Sequence, residues 1–395
     1  MIGAGPAGAT AARRLALGGA RVRLIDRARF PRNKPCGGAI SVRVLTRFPH
    51  LREALRRIPT HYISRLYLES PDGDSITLKS DSPAALMIRR VEFDHLLVQL
   101  AVEAGAELVE GAEVAHASIA ANGVTLTTRD GRPFAAPLVI AADGVHSVVA
   151  RRLEFNRGWP RRSIALDMME ETPNETLRAI DPDSLWVSYG YQGSDGYAYV
   201  FPKRDHVNVG IGYLLSYYRH EVKRHPYDLQ RRFVGALSGK GVLEGASSRQ
   251  HFTPFLIPVG GPLPETASDR VLVTGDAGGF VNAFSAEGIY YAMVSGELAA
   301  TAVLGGAPTR YRSLWRRELG AELRDAVWVQ RYLFAGRARV DALVHGAHRY
   351  PSIASGLVEY AMGSRSYRAA RARLLAQVPF VGARIAASGL LGSRF

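Results

Sequence analysis

Apolar and polar positions along the chain change period several times, and the changes mark its elements. The opening reads as strand, turn, helix, strand: Met1 and Ile2, a glycine-rich turn over residues 3–8, an Ala- and Arg-rich helix to about Leu17, then residues 20–26. In that last stretch Val22, Leu24 and Ile25 suit a buried parallel strand. The pattern predicts a βαβ unit. Its first strand has only two residues before the glycines, where about five are usual, so we expect upstream residues before Met1 in the natural chain.

Further on, residues 66–78 alternate around Asp72-Gly73 and predict an antiparallel hairpin. Helical spacing over residues 93–104 ends at Gly105, and residues 107–114 and 124–128 read as strands. Residues 138–142 form a short buried strand that runs into Asp143-Gly144. From 163 to 256 the pattern is mostly strand-like, strongest over 185–191, 197–201 and 206–213, which are rich in aromatic and β-branched residues. A third short buried strand, 271–274, ends at Gly275-Asp276 and precedes a helix over 287–304 with small residues on one face. Arg-rich helices follow Pro308.

The fold class expected is α/β (α+β overall). A discontinuous Rossmann-type nucleotide domain takes residues 1–60, 89–160 and 266–308. An inserted antiparallel sheet takes 61–88 and 161–265, and an Arg-rich helical region takes 309–395.

Composition narrows the function classes. The chain has 395 residues, 47% of them hydrophobic and 22% charged, enough for two or three packed units. No apolar run approaches the ~20 residues of a membrane span, since the most apolar helix, near residues 290–304, carries Glu297. No signal peptide is visible, and the reading is cytoplasmic. A single cysteine, Cys36, excludes an internal disulfide and Cys-rich metal or iron–sulfur sites, and the eleven histidines form no HExxH cluster, so no metal is expected. Of the net +14, +10 lies in residues 310–395, which hold fifteen arginines, no lysine and five acids. Such a tail is either a solvated face or a docking surface. Among partners, a peripheral contact with anionic lipid ranks ahead of nucleic acid, which we do not expect.

Gly3-Ala4-Gly5-Pro6-Ala7-Gly8 fits GxGxxG between a strand and a helix, where the glycines permit the turn, the approach of a pyrophosphate and tight helix packing. Asp26 ends the second strand 18 residues after Gly8, placed to bind ribose hydroxyls, with Arg27 beside it. This fingerprint alone does not separate FAD from NAD(P). Asp143-Gly144 and Gly275-Asp276 do, because they add two acid–glycine pairs at the carboxyl ends of buried strands, which an NAD domain does not need.

Residues 138–147 (LVIAADGVHS) and 271–295 (VLVTGDAGGFVNAFSAEGIYYAMVS) resemble the second and third FAD motifs of the geranylgeranyl reductase and aromatic hydroxylase superfamily. Three segments resemble the reductase branch: Lys34-Pro35-Cys36-Gly37-Gly38, residues 90–94 (RVEFD), and residues 197–202 (YAYVFP) followed by Val209-Gly210-Ile211-Gly212. The fingerprint and the acid–glycine pairs mark Gly3, Gly5, Ala7, Gly8, Arg27, Asp143, Gly144 and Gly275 as cofactor-binding candidates, and the resemblance implies FAD contacts at Asp26, Cys36, Gly37, Ala39, Arg90, Asp276, Gly288 and Ile289, with a backbone contact near Val114. It implies a lipid pocket lined by Tyr197, Tyr199, Phe201 and Pro202. Two positions depart from the family pattern: Tyr199 stands where Trp is usual, and Ala283 where Pro is usual.

Several of these residues have a plainer reading. Cys36 either influences proton delivery near the flavin, as the candidate catalytic residue, or is a small residue chosen for fit. Arg90 either neutralises a cofactor phosphate or pairs with Asp94 four residues on. Tyr197, Tyr199 and Phe201 share one strand face that is either pocket or ordinary core. No other acid or base stands out.

The function implied is reduction of carbon–carbon double bonds in an isoprenoid chain by hydride from reduced FAD. With no second Gly-rich βαβ unit, electrons would come from NAD(P)H or a reduced ferredoxin-like donor protein. The alternatives are an FAD-dependent monooxygenase acting on an aromatic or polyketide-like substrate, and a non-catalytic FAD electron-transfer or lipid-binding protein.

Overall fold

The computed structural model describes residues 1–191, 196–333 and 336–349. The rest of the expected basic tail, 350–395, lies outside the described residues. In the first unit two short parallel pairs form, Arg23–Ile25 with Glu107–Val109 and Val139–Ala141 with Val271–Val273. Ile2 joins them, bridging in parallel to Ile25 on one side and Ala141 on the other. Ile2 N donates to Ile140 O at 3.0 Å and Gly3 N to Ile25 O at 2.8 Å, so the two residues before the glycines occupy the centre of the parallel sheet. These strands are near-continuously apolar because both faces are covered. Helices Pro6–Leu17, Arg90–Glu103 and Ile289–Leu304 pack on one face. The small-residue face of the last is needed there: a Cβ at Gly296 would lie 2.2 Å from Ala7 O. A three-stranded antiparallel sheet (Val114–Ala120, Gly123–Thr128, Pro133–Ala136) covers the other.

The stretch 107–114, expected as one strand, is two. Glu107–Val109 belongs to the parallel sheet and Val114–Ala120 to the antiparallel cover. Gly111 at φ +65° turns the chain between them, and the Glu110 carboxylate accepts a bond from Phe30 N at 2.7 Å. Neither event interrupts the apolar pattern.

The second unit is a seven-stranded sheet ordered Phe252–Pro258, Ile164–Pro173, His206–Leu214, Tyr197–Pro202, Ser184–Tyr189, Arg65–Glu69, Ser75–Lys79. All neighbours are antiparallel except Ser184–Tyr189 against Arg65–Glu69, and the last two strands are the hairpin around Asp72-Gly73. Its outer face carries a helix, Pro226–Gly239, in a region read from the sequence as mostly strand. Phe233, Val234 and Leu237 of that helix pack on Trp186, Val200, Val209 and Ile211. Pro226 at its first position and Asp228 in its first turn were the available start signals.

A small sheet of Ala39–Ser41, Ala85–Met87 and His61–Ile63 takes strands from both expected units and stitches them together. Helices Tyr311–Glu318, Gly320–Leu333 and Arg337–Arg349 follow. The first is anchored by Tyr311 OH donating to Val273 O at 3.1 Å and Trp315 Nε1 to Thr266 Oγ1 at 2.8 Å. Among the described residues no helix is long and apolar enough to cross a membrane.

Candidate active site

The two units enclose a cavity of about 430 Å³. It runs from the glycine-rich turn to the inner face of the seven-stranded sheet. Gly3, Gly5, Ala7, Asp26, Arg27, Cys36, Gly37, Ala39, Arg90, Val114, Asp143, Gly144, Gly275, Asp276, Gly288, Ile289, Tyr197, Tyr199 and Phe201 all line it. Two residues singled out in the sequence do not. A Cβ at Gly8 would lie 1.8 Å from Gly3 O, so Gly8 serves the packing of helix on turn. Pro202 follows Phe201 in a strand, and alternation turns it to the opposite face, where it is buried.

At the nucleotide end, Gly3 sits at φ +91° with its absent Cβ 2.3 Å from Ala142 O. No other residue fits there. Helix Pro6–Leu17 has no side-chain cap at Gly5, which leaves first-turn N–H groups for an anion. Asp26 Oδ2 accepts from Ala4 N at 2.7 Å and Oδ1 from Ala28 N at 2.8 Å, fixing the carboxylate at the strand end. Asp143 instead caps the next helix, accepting from Ser147 Oγ at 2.5 Å and Val148 N at 2.8 Å. Burial lifts its pKa against those bonds.

In the middle, Arg90 makes a two-pronged pair with Asp94 at 2.6 and 2.7 Å, the helix pairing weighed for it, and also lines the cavity. Burial opposes the charge on each partner. The pairing outweighs it, raising the Arg90 pKa and lowering that of Asp94, which also sits 2.9 Å from Arg32. Lys34 lies 4.0 Å from Asp276 and 4.0 Å from the Phe255 ring centroid; burial lowers its pKa while Asp276 resists. Cys36 is a half-buried free thiol whose carbonyl accepts from Asn208 Nδ2 at 3.2 Å. A Cβ on Gly37 would be 2.8 Å from Phe201 Cδ2, so this loop lies flat on the aromatic face.

At the sheet end the wall is apolar. Leu66, Leu68, Leu185 and Val187 line it, with Tyr189, Tyr197, Tyr199 and Phe201 in a row of rings 4.4–5.5 Å apart. Gly210 gives Tyr199 its room, since a Cβ there would be 2.5 Å from that ring.

One acid missed in the sequence stands in this wall. Asp167, in the strand Ile164–Pro173, faces the cavity with 7% of its surface exposed. Its Oδ2 accepts from Tyr199 OH at 3.1 Å, and its buried Oδ1 has no hydrogen-bond partner. Burial lifts its pKa to about 7 against the Tyr199 bond and the Lys34 charge. The signal available was a lone acid inside an otherwise apolar run, Ile164-Ala165-Leu166-Asp167-Met168-Met169.

An uncapped helix N-terminus, a glycine cradle, a fixed acid at the strand end and an elongated cavity leading to an aromatic wall fit FAD. The chain is similar to digeranylgeranylglycerophospholipid reductase 1 of Methanothermobacter thermautotrophicus, with 29% identity over 84% of this chain and 85% of that protein. It is also similar to the chloroplastic geranylgeranyl diphosphate reductase of Oryza sativa subsp. japonica, with 27% identity over 82% and 70%. Its fold matches the crystal structure of a geranylgeranyl bacteriochlorophyll reductase-like protein from Thermoplasma acidophilum at a TM-score of 0.79, 21% identity and coverage of 94% and 97%. The family described as "FAD binding domain" matches residues 1–294, about three quarters of the 395-residue chain. The chain therefore belongs to the FAD-binding domain family, as an FAD-dependent oxidoreductase similar to the geranylgeranyl reductases.

Proposed function

We propose that this enzyme saturates carbon–carbon double bonds of an isoprenoid chain carried by a hydrophobic substrate. The observation that carries this reading is a single cavity that joins the nucleotide cradle to an apolar, ring-lined sheet face across the Cys36-Gly37 loop. Bound FAD would supply the hydride. Gly3, Gly5, Ala7 and Asp26 would hold its adenosine and pyrophosphate end, while Asp276, Gly288 and Ile289 would lie along it nearer the flavin. Leu66, Leu68, Leu185 and Val187 would take the alkene chain, exclude water and orient a reacting carbon, and the Tyr197–Phe201 rings would hold it from the side. Electrons would arrive from NAD(P)H or a reduced ferredoxin-like protein, the latter suited to the basic surface. Helix Gly320–Leu333 turns Arg324, Trp328, Arg331 and Tyr332 outward on one face while Gln330 reaches the cavity, which suits docking at an anionic membrane near the substrate's entrance.

The test is mass spectrometry of a geranylgeranyl-bearing lipid after anaerobic incubation with the dithionite-reduced, FAD-loaded protein. A gain of hydrogen pairs is expected. Unchanged lipid, with oxygen incorporated into an aromatic substrate under NAD(P)H and air, would replace this reading with a monooxygenase.

A further inference from the structure

Reducing an isolated alkene needs a proton as well as a hydride, and the acid must open into the apolar part of the cavity. The titratable groups of the sheet and its facing loop that meet that region are Tyr189, Tyr197, Tyr199, Asp167, Lys34 and Cys36, whose thiol accepts from Gly38 N at 3.4 Å. The strands flanking Asp167 place Gly212 and Phe255 beside it, neither of which titrates. Lys34 is turned towards Asp276. Tyr199 spends its hydroxyl proton on Asp167, and burial followed by that carboxylate hold its pKa well above the usual tyrosine range. Burial likewise holds Tyr197 well above the usual tyrosine range, whereas Asp167 presents a buried oxygen with no hydrogen-bond partner from a side chain more than nine-tenths buried in the cavity wall.

We propose that Asp167 is the acid of this reaction, giving a proton from Oδ1 to the alkene while Tyr199 positions it through Oδ2. The inference rests on the reductase reading above. The Oδ1–H bond breaks and a C–H bond forms at one alkene carbon; the hydride from the reduced cofactor adds at the other. The alkene thus takes up the two electrons the cofactor loses, and the Asp167 carboxylate regains its proton from solvent. Burial keeps that proton in place up to about pH 7, three units above an ordinary aspartate.

The experiment is anaerobic single-turnover reoxidation of the dithionite-reduced, FAD-loaded full chain by geranylgeraniol between pH 5.5 and 9, for wild type, Asp167→Asn and Tyr199→Phe. Wild type is expected to lose rate about tenfold per unit above pH 7. Asp167→Asn should keep its bound FAD, lose about 10²-fold or more in rate, and lose the pH dependence. Tyr199→Phe removes the one hydrogen bond to Asp167 and should move the midpoint to higher pH, which a purely structural tyrosine would not do. Infrared difference spectra give a readout without turnover: a protonated carboxyl band that titrates in wild type and is missing in Asp167→Asn. Wild-type rate and pH profile in Asp167→Asn, with wild type itself reducing the alkene, would overturn the acid role and leave the reductase reading standing. Wild type that leaves geranylgeraniol unreduced would overturn the reading and this role with it.

Discussion

A buried group that titrates near neutrality makes Asp167 a stability element as well as a chemical one. Its unfolded pKa is about 3.9 and its folded value about 7. Between those limits the native state binds more protons than the unfolded state, so stability falls as pH rises through the window, by on the order of 4 kcal/mol in total. Asp167→Asn should therefore raise the thermal midpoint at pH 8 and change it little at pH 4; an equal shift at both would contradict the assignment. Glu170 is lifted to about 7 by burial in the same strand, but it is present in both proteins and cancels. Gly3 is the opposite kind of residue, legible from the sequence alone. Gly3→Ala meets a backbone oxygen at 2.3 Å in a left-handed conformation, costing about 1–3 kcal/mol for the conformation alone. It should lower FAD content, read as the ratio of flavin to protein absorbance.

Among the elements, the junction of the short helix Arg43–Arg47 with the C-terminal helices decides how firmly the cavity wall is held. Arg43 lies 2.8 Å from Glu322 and 3.6 Å from Glu287, with the Tyr290 ring centroid 3.8 Å away, and all three charged side chains are at most 17% exposed. Glu287 also accepts from Ser41 N at 2.9 Å and lines the cavity. Arg43→Met leaves two nearly buried carboxylates facing each other, and we predict a loss of about 3–5 kcal/mol in denaturant unfolding. Adding Glu322→Gln should recover part of it. The short helix Arg43–Arg47 was not read from the sequence, but the other elements of this junction, the helix over 287–304 and the Arg-rich helices after Pro308, were legible. Their convergence was not, because Arg43 and Glu322 are 279 positions apart. The helix Pro226–Gly239 escaped for a local reason: the neighbouring β-branched and aromatic runs set the expectation, whereas its apolar face is needed only once a sheet exists beneath it.

For the whole molecule, the net charge of +14 and an outward aromatic pair point to a surface rather than a site. Trp328 and Tyr332 are 60% and 49% exposed and stack at 5.4 Å, with the Arg339 guanidinium 4.5 Å from the Tyr332 ring. Binding to anionic vesicles is expected to weaken with added salt, as exposed charges are screened. Arg324→Ala with Arg331→Ala should weaken it by about 1 kcal/mol for each arginine removed. Equal sedimentation with neutral and anionic vesicles would remove membrane docking from the proposed function.

Spacing and residue type alone determined the nucleotide half of this protein. GxGxxG, Asp26 and the two later acid–glycine pairs act through backbone geometry within a few residues of themselves, so their meaning survives in one dimension. The tertiary structure decided the substrate half. A strand shows two faces, and only the packing of helix Pro226–Gly239 against one of them left the other, with Tyr197, Tyr199, Phe201 and Asp167, to the cavity. Asp167 became an acid worth naming only when folding took it out of water and set Tyr199, 32 residues away, against one of its oxygens, because a carboxyl's proton affinity is a property of its surroundings.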